Sequence, residues 1–269
     1  GTARYAPRAA AYTSSVFNTR TGTPVVPLRI LLIGWSDIAY DILLELNAHV
    51  TSGTTVTVLA SPERSGVDAK LSNDVAATLT KLKVDLRRGD AAERSAYENL
   101  DLASYDTIVV LADEAAGNGD SDSHALRISL RLSALVDQTG AQANIVVELL
   151  DAANRDLYRG LGIRDLVVSS DIISAQLAQI TQQEVLGSIY RELLSAGGVE
   201  ISLRAAVEYV IADTPCRFED LIFAAQKNSE IALGLSLDSG EVLLNPSRKD
   251  VWQLGEHDKL IVLAQQIYR

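Results

Sequence analysis

The sequence predicts an α/β protein: a Rossmann-type, doubly wound parallel sheet, then a helical crossover, then a smaller α+β C-terminal lobe. Three observations predict it. Short apolar runs alternate with helical patterns from Ile30 to Val168, an amphipathic stretch fills 171–196, and strand patterns dominate from about 198 onward. Strands buried on both faces read as unbroken apolar runs, and their alternation with helices implies right-handed crossovers in a parallel sheet.

Residues 1–28 carry Pro7, Pro24 and Pro27 among Ser, Thr and Gly with no strand or helix period. They read as an extended arm or linker, ordered where it lies on a neighbour. The Rossmann-type lobe, 29–170, opens with the strand Ile30–Ile33, which runs into Gly34 and a helix over Ile38–Leu46. Further strands are predicted at Thr55–Leu59, Thr107–Leu111, Asn144–Leu149 and Asp165–Val168, with a weaker one at Lys83–Leu86. Helical patterns fall at Val67–Leu82, Arg94–Leu100, His124–Val136 and Ala153–Leu161.

In the crossover, 171–197, Ile172, Ile173, Leu177, Ile180, Leu186, Ile189 and Leu193 recur on one broad face, and Gly187 is either a tolerated glycine or a break between two helices. One lobe does not easily cover so much apolar surface, so a homodimer through 171–196 is expected. The final lobe, 198–269, holds the strand-like stretches VEISLRAAVEYVIA, EIALGLSL, EVLLN and DKLIVLA. One helix, Phe218–Ala225, and a hairpin turn at Asp238–Gly240 lie among them.

A chain of 269 residues is long enough for one large domain or two lobes. The net charge of −11 argues against nucleic-acid binding, because a phosphate backbone calls for a basic surface. A lone cysteine, Cys216, excludes an intrachain disulfide and fits a reducing compartment. No apolar run approaches the roughly 20 residues of a membrane helix, and no signal-peptide pattern is present. The chain reads as soluble, and Gly1 in place of a methionine suggests a fragment or a processed terminus.

The Gly34 turn begins a dinucleotide fingerprint and then departs from it. In that fingerprint a second glycine lets backbone approach the pyrophosphate and a third lets helix pack on strand. Here Ser36 and Ala39 hold those places, and Asp37 sets a negative charge where an anion would bind. The second strand should end in an acid for the ribose but ends in Ala60 and Ser61, with Glu63 displaced into the loop. The residues of this altered nucleotide cleft are Gly34, Trp35, Ser36, Asp37, Ala60, Ser61 and Asp90, and NAD or ATP binding there is disfavoured without being excluded.

A second cluster is acidic. Asp113, Glu114, Asp120 and Asp122 follow the fourth strand, Glu148 and Asp151 close the fifth, and Asp90 follows the third. Oxygen-rich sets suit hard cations such as Ca²⁺, although a loop this acidic also reads as simply solvated, with Asp122 capping the next helix. Enzyme chemistry has little support. His49, His124 and His257 lie far apart, and no G-x-S-x-G, H-E-x-x-H or cysteine pair occurs.

Several blocks carry a resemblance. They are ILLIGW with DI (30–38), SYDTIVVLADE (104–114), VVELLDAANRDL (146–157), DLVVSSDIISAQLAQ (165–179) and LGSIYRELLSAGGVEISLRAAVEYV (186–210). The chain resembles the RCK (TrkA-like) regulatory domain of the CASTOR/POLLUX-type ion channels, from about 30 to 265, and its ending resembles the C-terminal unit of a tandem pair. The resemblance implies a gating module with no catalytic role. Such a module senses a ligand, pairs with itself, builds a ring and couples occupancy to a membrane pore, on the cytoplasmic side of the membrane. Its implied partners are a second copy, a preceding RCK unit and a pore segment.

The resemblance also implies a divalent cation, Ca²⁺ or another, at Asp113, Glu114 and Glu148, while the second glutamate expected near Leu150 is missing. Gly34 and Trp35 keep the family's turn, and Ser36 stands where a basic stretch is usual. Two alternatives stand beside this reading. One is a nucleotide-sensing regulatory subunit of a Trk-type K⁺ uptake system, and the other is an NAD(P)-dependent oxidoreductase.

Overall fold

The computed structural model describes residues 17–18, 26–71, 78–113, 121–163, 165–195 and 198–265. The chain divides into two compact units, Val25–Arg191 and Glu192–Arg269, the latter taking in the N-terminal stretch to which Phe17 and Asn18 belong.

The first unit is built on six parallel strands: β1 (Arg29–Ile33), β2 (Thr54–Ala60), β3 (Leu82–Arg88), β4 (Thr107–Val110), β5 (Asn144–Leu149) and β6 (Asp165–Val168). Their order is β3-β2-β1-β4-β5-β6, the doubly wound arrangement. The apolar run of β1 has a plain cause. Ile30 and Leu32 enter one core with Trp35, Leu43, Val56 and Val58, while Leu31 and Ile33 enter the opposite core with Ile108, Val110, Ile128 and Leu132.

Helix α1 (Ala39–His49) covers the first face and α3 (Ser121–Thr139) the second. Between β2 and β3 the expected long helix is reduced to α2 (Val67–Lys70), since Leu82 belongs to β3, where it pairs with Thr54. Residues 72–77 of that expectation lie outside the described residues. The patterns at Arg94–Leu100 and Ala153–Leu161 form 3₁₀ turns, Arg94–Tyr97 and Ala152–Tyr158, the latter capped by Asp151 accepting from the Ala153 amide. Loss of a full helix after β3 leaves Thr55, Thr57, Lys83, Asp85 and Arg87 lining an open groove of about 930 Å³.

The amphipathic stretch is two helices, α4 (Ser169–Gln182) and α5 (Leu186–Leu194). The break comes before Gly187, at Gln183, whose backbone is extended. Gly187 faces Ile180, and a Cβ there would lie 3.7 Å from Ile180 Cδ1. Neither helix holds a buried residue, and Ile172, Ile173, Leu177, Ile189 and Leu194 are exposed.

In the second unit, β7 (Val199–Ala205), β9 (Ile231–Ser236), β10 (Val242–Leu244) and β12 (Lys259–Gln265) form an antiparallel sheet ordered β10-β9-β12-β7. Helix α6 (Phe218–Lys227) packs on one face through Phe218, Leu221, Ala224 and Ala225, against Leu235, Leu260 and Val262. Two short strands missed in the sequence, β8 (Cys216–Arg217) and β11 (Val251–Trp252), pair beside it. Phe17 bridges to Val210 and meets Phe223 with tilted rings, their centroids 5.6 Å apart, and the Asn18 side chain donates to the Val207 carbonyl at 2.7 Å. Phe17 and Asn18 thus lie on the C-terminal lobe.

Candidate functional site

In a doubly wound sheet the chain winds away from β1 in both directions, so a crevice opens at the carboxyl ends of β1 and β4. Gly34 forms its floor. Its φ is +89°, its amide donates to the Leu59 carbonyl at 3.0 Å, and a Cβ would stand 3.1 Å from the Leu111 carbonyl oxygen. The turn therefore needs glycine for conformation and for space.

A cleft of about 270 Å³ lies above it, lined by Gly34, Ser61, Glu63, Asp90, Asp113, His124 and Arg127 among others. Of the sequence-predicted cleft residues, Gly34, Ser61 and Asp90 meet here. Ser61 accepts from the Glu63 amide and Asp90 from the Ala92 amide, so each also fixes its own loop. Trp35 and Ala60 do not line it. Both are buried in the core under α1, and Trp35 reaches the site only through its amide, which donates to Asp113 Oδ2 at 3.3 Å.

Ser36 and Asp37 flank a neighbouring hollow of about 210 Å³, shared with Arg64, Ala112, Glu148 and Leu150. Ser36 Oγ is buried and has no hydrogen-bond partner among the described residues. Arg64, which the sequence reading missed, lies between two carboxylates, 3.4 Å from Asp37 and 3.6 Å from Asp113. It offsets the negative charge that Asp37 places at the turn.

Two of the carboxylates expected to hold a cation, Asp113 and Glu148, are engaged by protein donors. Besides Trp35 and Arg64 on Asp113, the Glu148 oxygens accept from the Ala112 amide and the Ser169 hydroxyl, both at 3.1 Å. Glu114 lies outside the described residues, among which no group of three or more His, Cys, Asp or Glu is arranged to hold a metal. Asp122 binds the next loop, accepting from the amides of Leu150 and Asp151 and from the Asn154 side chain.

His124 and Arg127 were also missed. They sit one turn apart near the start of α3, and Arg127 lies 3.0 Å from His124 Nδ1. Burial, and then the Arg127 charge, lower the His124 pKa from its ordinary value, with Asp90 and Asp113 opposing. The lowered pKa favours the neutral imidazole, whose Nδ1 can accept from the guanidinium in one tautomer. The available signal was their i, i+3 spacing on the helix after β4. Cys216 is buried, and burial with Asp220 nearby pushes its thiol up to about 11.

Among the described residues no helix is long and apolar enough to cross a membrane. No family model matches the chain. It is 27% identical over 278 residues to ion channel DMI1 of Medicago truncatula, 27% over 278 to ion channel POLLUX of Lotus japonicus and 26% over 279 to ion channel CASTOR of Lotus japonicus. Each match takes in 90% of this chain and 31%, 30% and 32% of those proteins, so the chain spans about a third of the curated relatives it matches.

Fainter likenesses link it to solved structures. The RCK domain of GsuK has a TM-score of 0.39 and 12% identity over 98% of this chain and 48% of that one. The TrkA-N domain of inner membrane protein ybaL from Escherichia coli has 0.43 and 13%, over 58% of this chain and 97% of that one. By sequence, along nine-tenths of its length, this chain is similar to part of the CASTOR/POLLUX ion channels.

Proposed function

We propose that this chain is a ligand-sensing regulatory module of a K⁺- or Ca²⁺-permeable channel, working on the cytoplasmic side of the membrane. Occupancy of the cleft is carried to α4 and α5, which pair with a second copy. A ring of such pairs, with a preceding unit of the same kind, acts on the pore. The supporting observation is the double engagement of Glu148, which bonds the end of β4 through Ala112 and the first residue of α4 through Ser169. A ligand that shifts the mouth of β4 therefore pulls on a carboxylate already tied to the helix. Such couplings typically amount to about 1–3 kcal/mol per site, and several sites on a ring add.

Two ligand chemistries are supported by separate observations. The resemblance to the calcium-gated relatives, with Asp113 and Glu148 close to the mouths of β4 and β5, favours a divalent cation. The cleft at the switch point, with Asp90, His124 and Arg127, favours a nucleotide such as NAD or ATP. Thermal melting with Ca²⁺, Mg²⁺, NAD, NADH, ATP and ADP separates them. A true ligand at a hundredfold excess over its dissociation constant adds about 2.7 kcal/mol of stability. No shift with any of the six overturns ligand sensing, and NADH-dependent hydride transfer replaces it with an oxidoreductase.

A further inference from the structure

The sheet of the C-terminal unit also turns apolar side chains to solvent, on the side away from α6. On β7, Glu200, Ser202 and Arg204 stand opposite Ala264, Val262 and Leu260 of β12, on the side packed by α6. Ile201 and Leu203 stand opposite Leu263 and Ile261, on the other side. Ile231 continues that row on β9, and Val242 and Leu244 continue it on β10. Ile201, Leu203, Ile231, Val242 and Leu244 are each between 55 and 69% exposed. A one-sided antiparallel sheet normally shows the reverse, with polar residues outward. The inversion on β7 is also anchored, because Arg204 lies 4.0 Å from the buried Glu230, which accepts a hydrogen bond from Tyr209.

We infer that this outer face is an interface with a second copy of the chain, sheet stacked on sheet. Charge selects that occupant. The rows carry no ionisable side chain between the strand ends, where Lys259 sits, while the chain as a whole bears −11. Like copies of so acidic a protein meet with least repulsion on a patch that has no charge, and a charged partner finds nothing there to complement.

Area agrees. Five aliphatic side chains exposing roughly 100 Å² each give about 500 Å² per copy, or about 1,000 Å² for the pair before the rims are added, which reaches the threshold for a specific interface. Shape agrees as well. In the middle of the face Gly234 adds no side chain beside Ile261, which is already buried, so the exposed aliphatic groups flank a flatter centre. Sheet faces of this kind pack about 10 Å apart about a two-fold axis. This surface is distinct in sequence from the helical face over 171–196. A chain with two self-pairing faces assembles beyond a dimer.

Sedimentation across a range of concentrations tests the inference with four proteins: wild type, the sheet variant I201E/L203E, the helix variant I173E/L177E, and all four changes together. Every position is exposed, so melting temperatures serve as the control for folding. The expected result is a wild type heavier than a dimer, dimers for each paired variant and a monomer for the fourth protein. Leu203→Ala in the helix-variant background should weaken the remaining dimer about tenfold.

If the helix variant is already monomeric, the sheet interface is overturned while the helical dimer of the proposed function stands. If the sheet variant alone reduces wild type to a monomer, the helical dimer fails and the sheet interface stands. A sheet variant with wild-type mass overturns the inference outright.

Discussion

The carboxylate of Asp122, on the first turn of α3, accepts the amide of Leu150 at 2.8 Å, fastening the loop after β5 to a helix 28 residues earlier. It also takes the Asp151 amide and the Asn154 side chain, and it is almost wholly buried. Asp122→Ala strips three donors of their acceptor at once. Urea unfolding should show a loss of about 2–4 kcal/mol, because an unsatisfied buried group costs about 1–3 kcal/mol and bonds to a charge are the stronger kind. A loss under about 0.5 kcal/mol, the size of an ordinary surface change, contradicts this role.

Gly34→Ala meets two penalties, a left-handed backbone and a carbonyl 3.1 Å from the new methyl. The expected destabilisation is about 1–3 kcal/mol. The same variant should lose any melting shift that a cleft ligand gives wild type, since the floor of the cleft must move.

The pH dependence follows from His124. Its folded pKa lies below the unfolded value of about 6.5, so below that pH the unfolded chain binds the extra proton. Stability from this residue is complete above the unfolded value and is lost as pH falls through about 6.5 and below. His124→Gln should flatten that part of the profile, read from urea midpoints between about pH 5 and 7. An unchanged slope removes His124 as its source.

Glu148→Gln keeps the shape of the side chain and removes its charge, and the amide end is a donor where an acceptor is needed. The oxygen can still accept from the Ala112 amide, but that bond loses the charge that strengthened it. The Ser169 hydroxyl must turn round to accept from the new amide. Stability should fall by about 1–3 kcal/mol. In a channel that carries this module, as proposed above, ligand binding should survive while its effect on current is reduced, which paired binding and patch-clamp measurements on one protein can show.

The strands of the first unit were legible because burial on both faces writes an unbroken apolar run, as Leu31 and Leu32 show by entering opposite cores. The helix expected over Val67–Leu82 was misread at its end because Leu82 satisfies a helical period and a strand equally well. Gly34, read from the turn signature, and Ser61 and Asp90, read from their places after strand ends, line one cleft. Arg64, His124 and Arg127 were not found in the sequence, because nothing local marks a side chain that reaches across from another loop or helix. Trp35 was assigned to the cleft from its place in the turn, and its bulk instead sends it into the core.

Val168 ends β6 and Ser169 begins α4, with no residue between them. A rod joined so directly has no hinge on which to swivel, and its bearing is inherited from the twist at the margin of the sheet. Anything that clasps the rod is then aimed by that margin, as an oar is aimed by its rowlock.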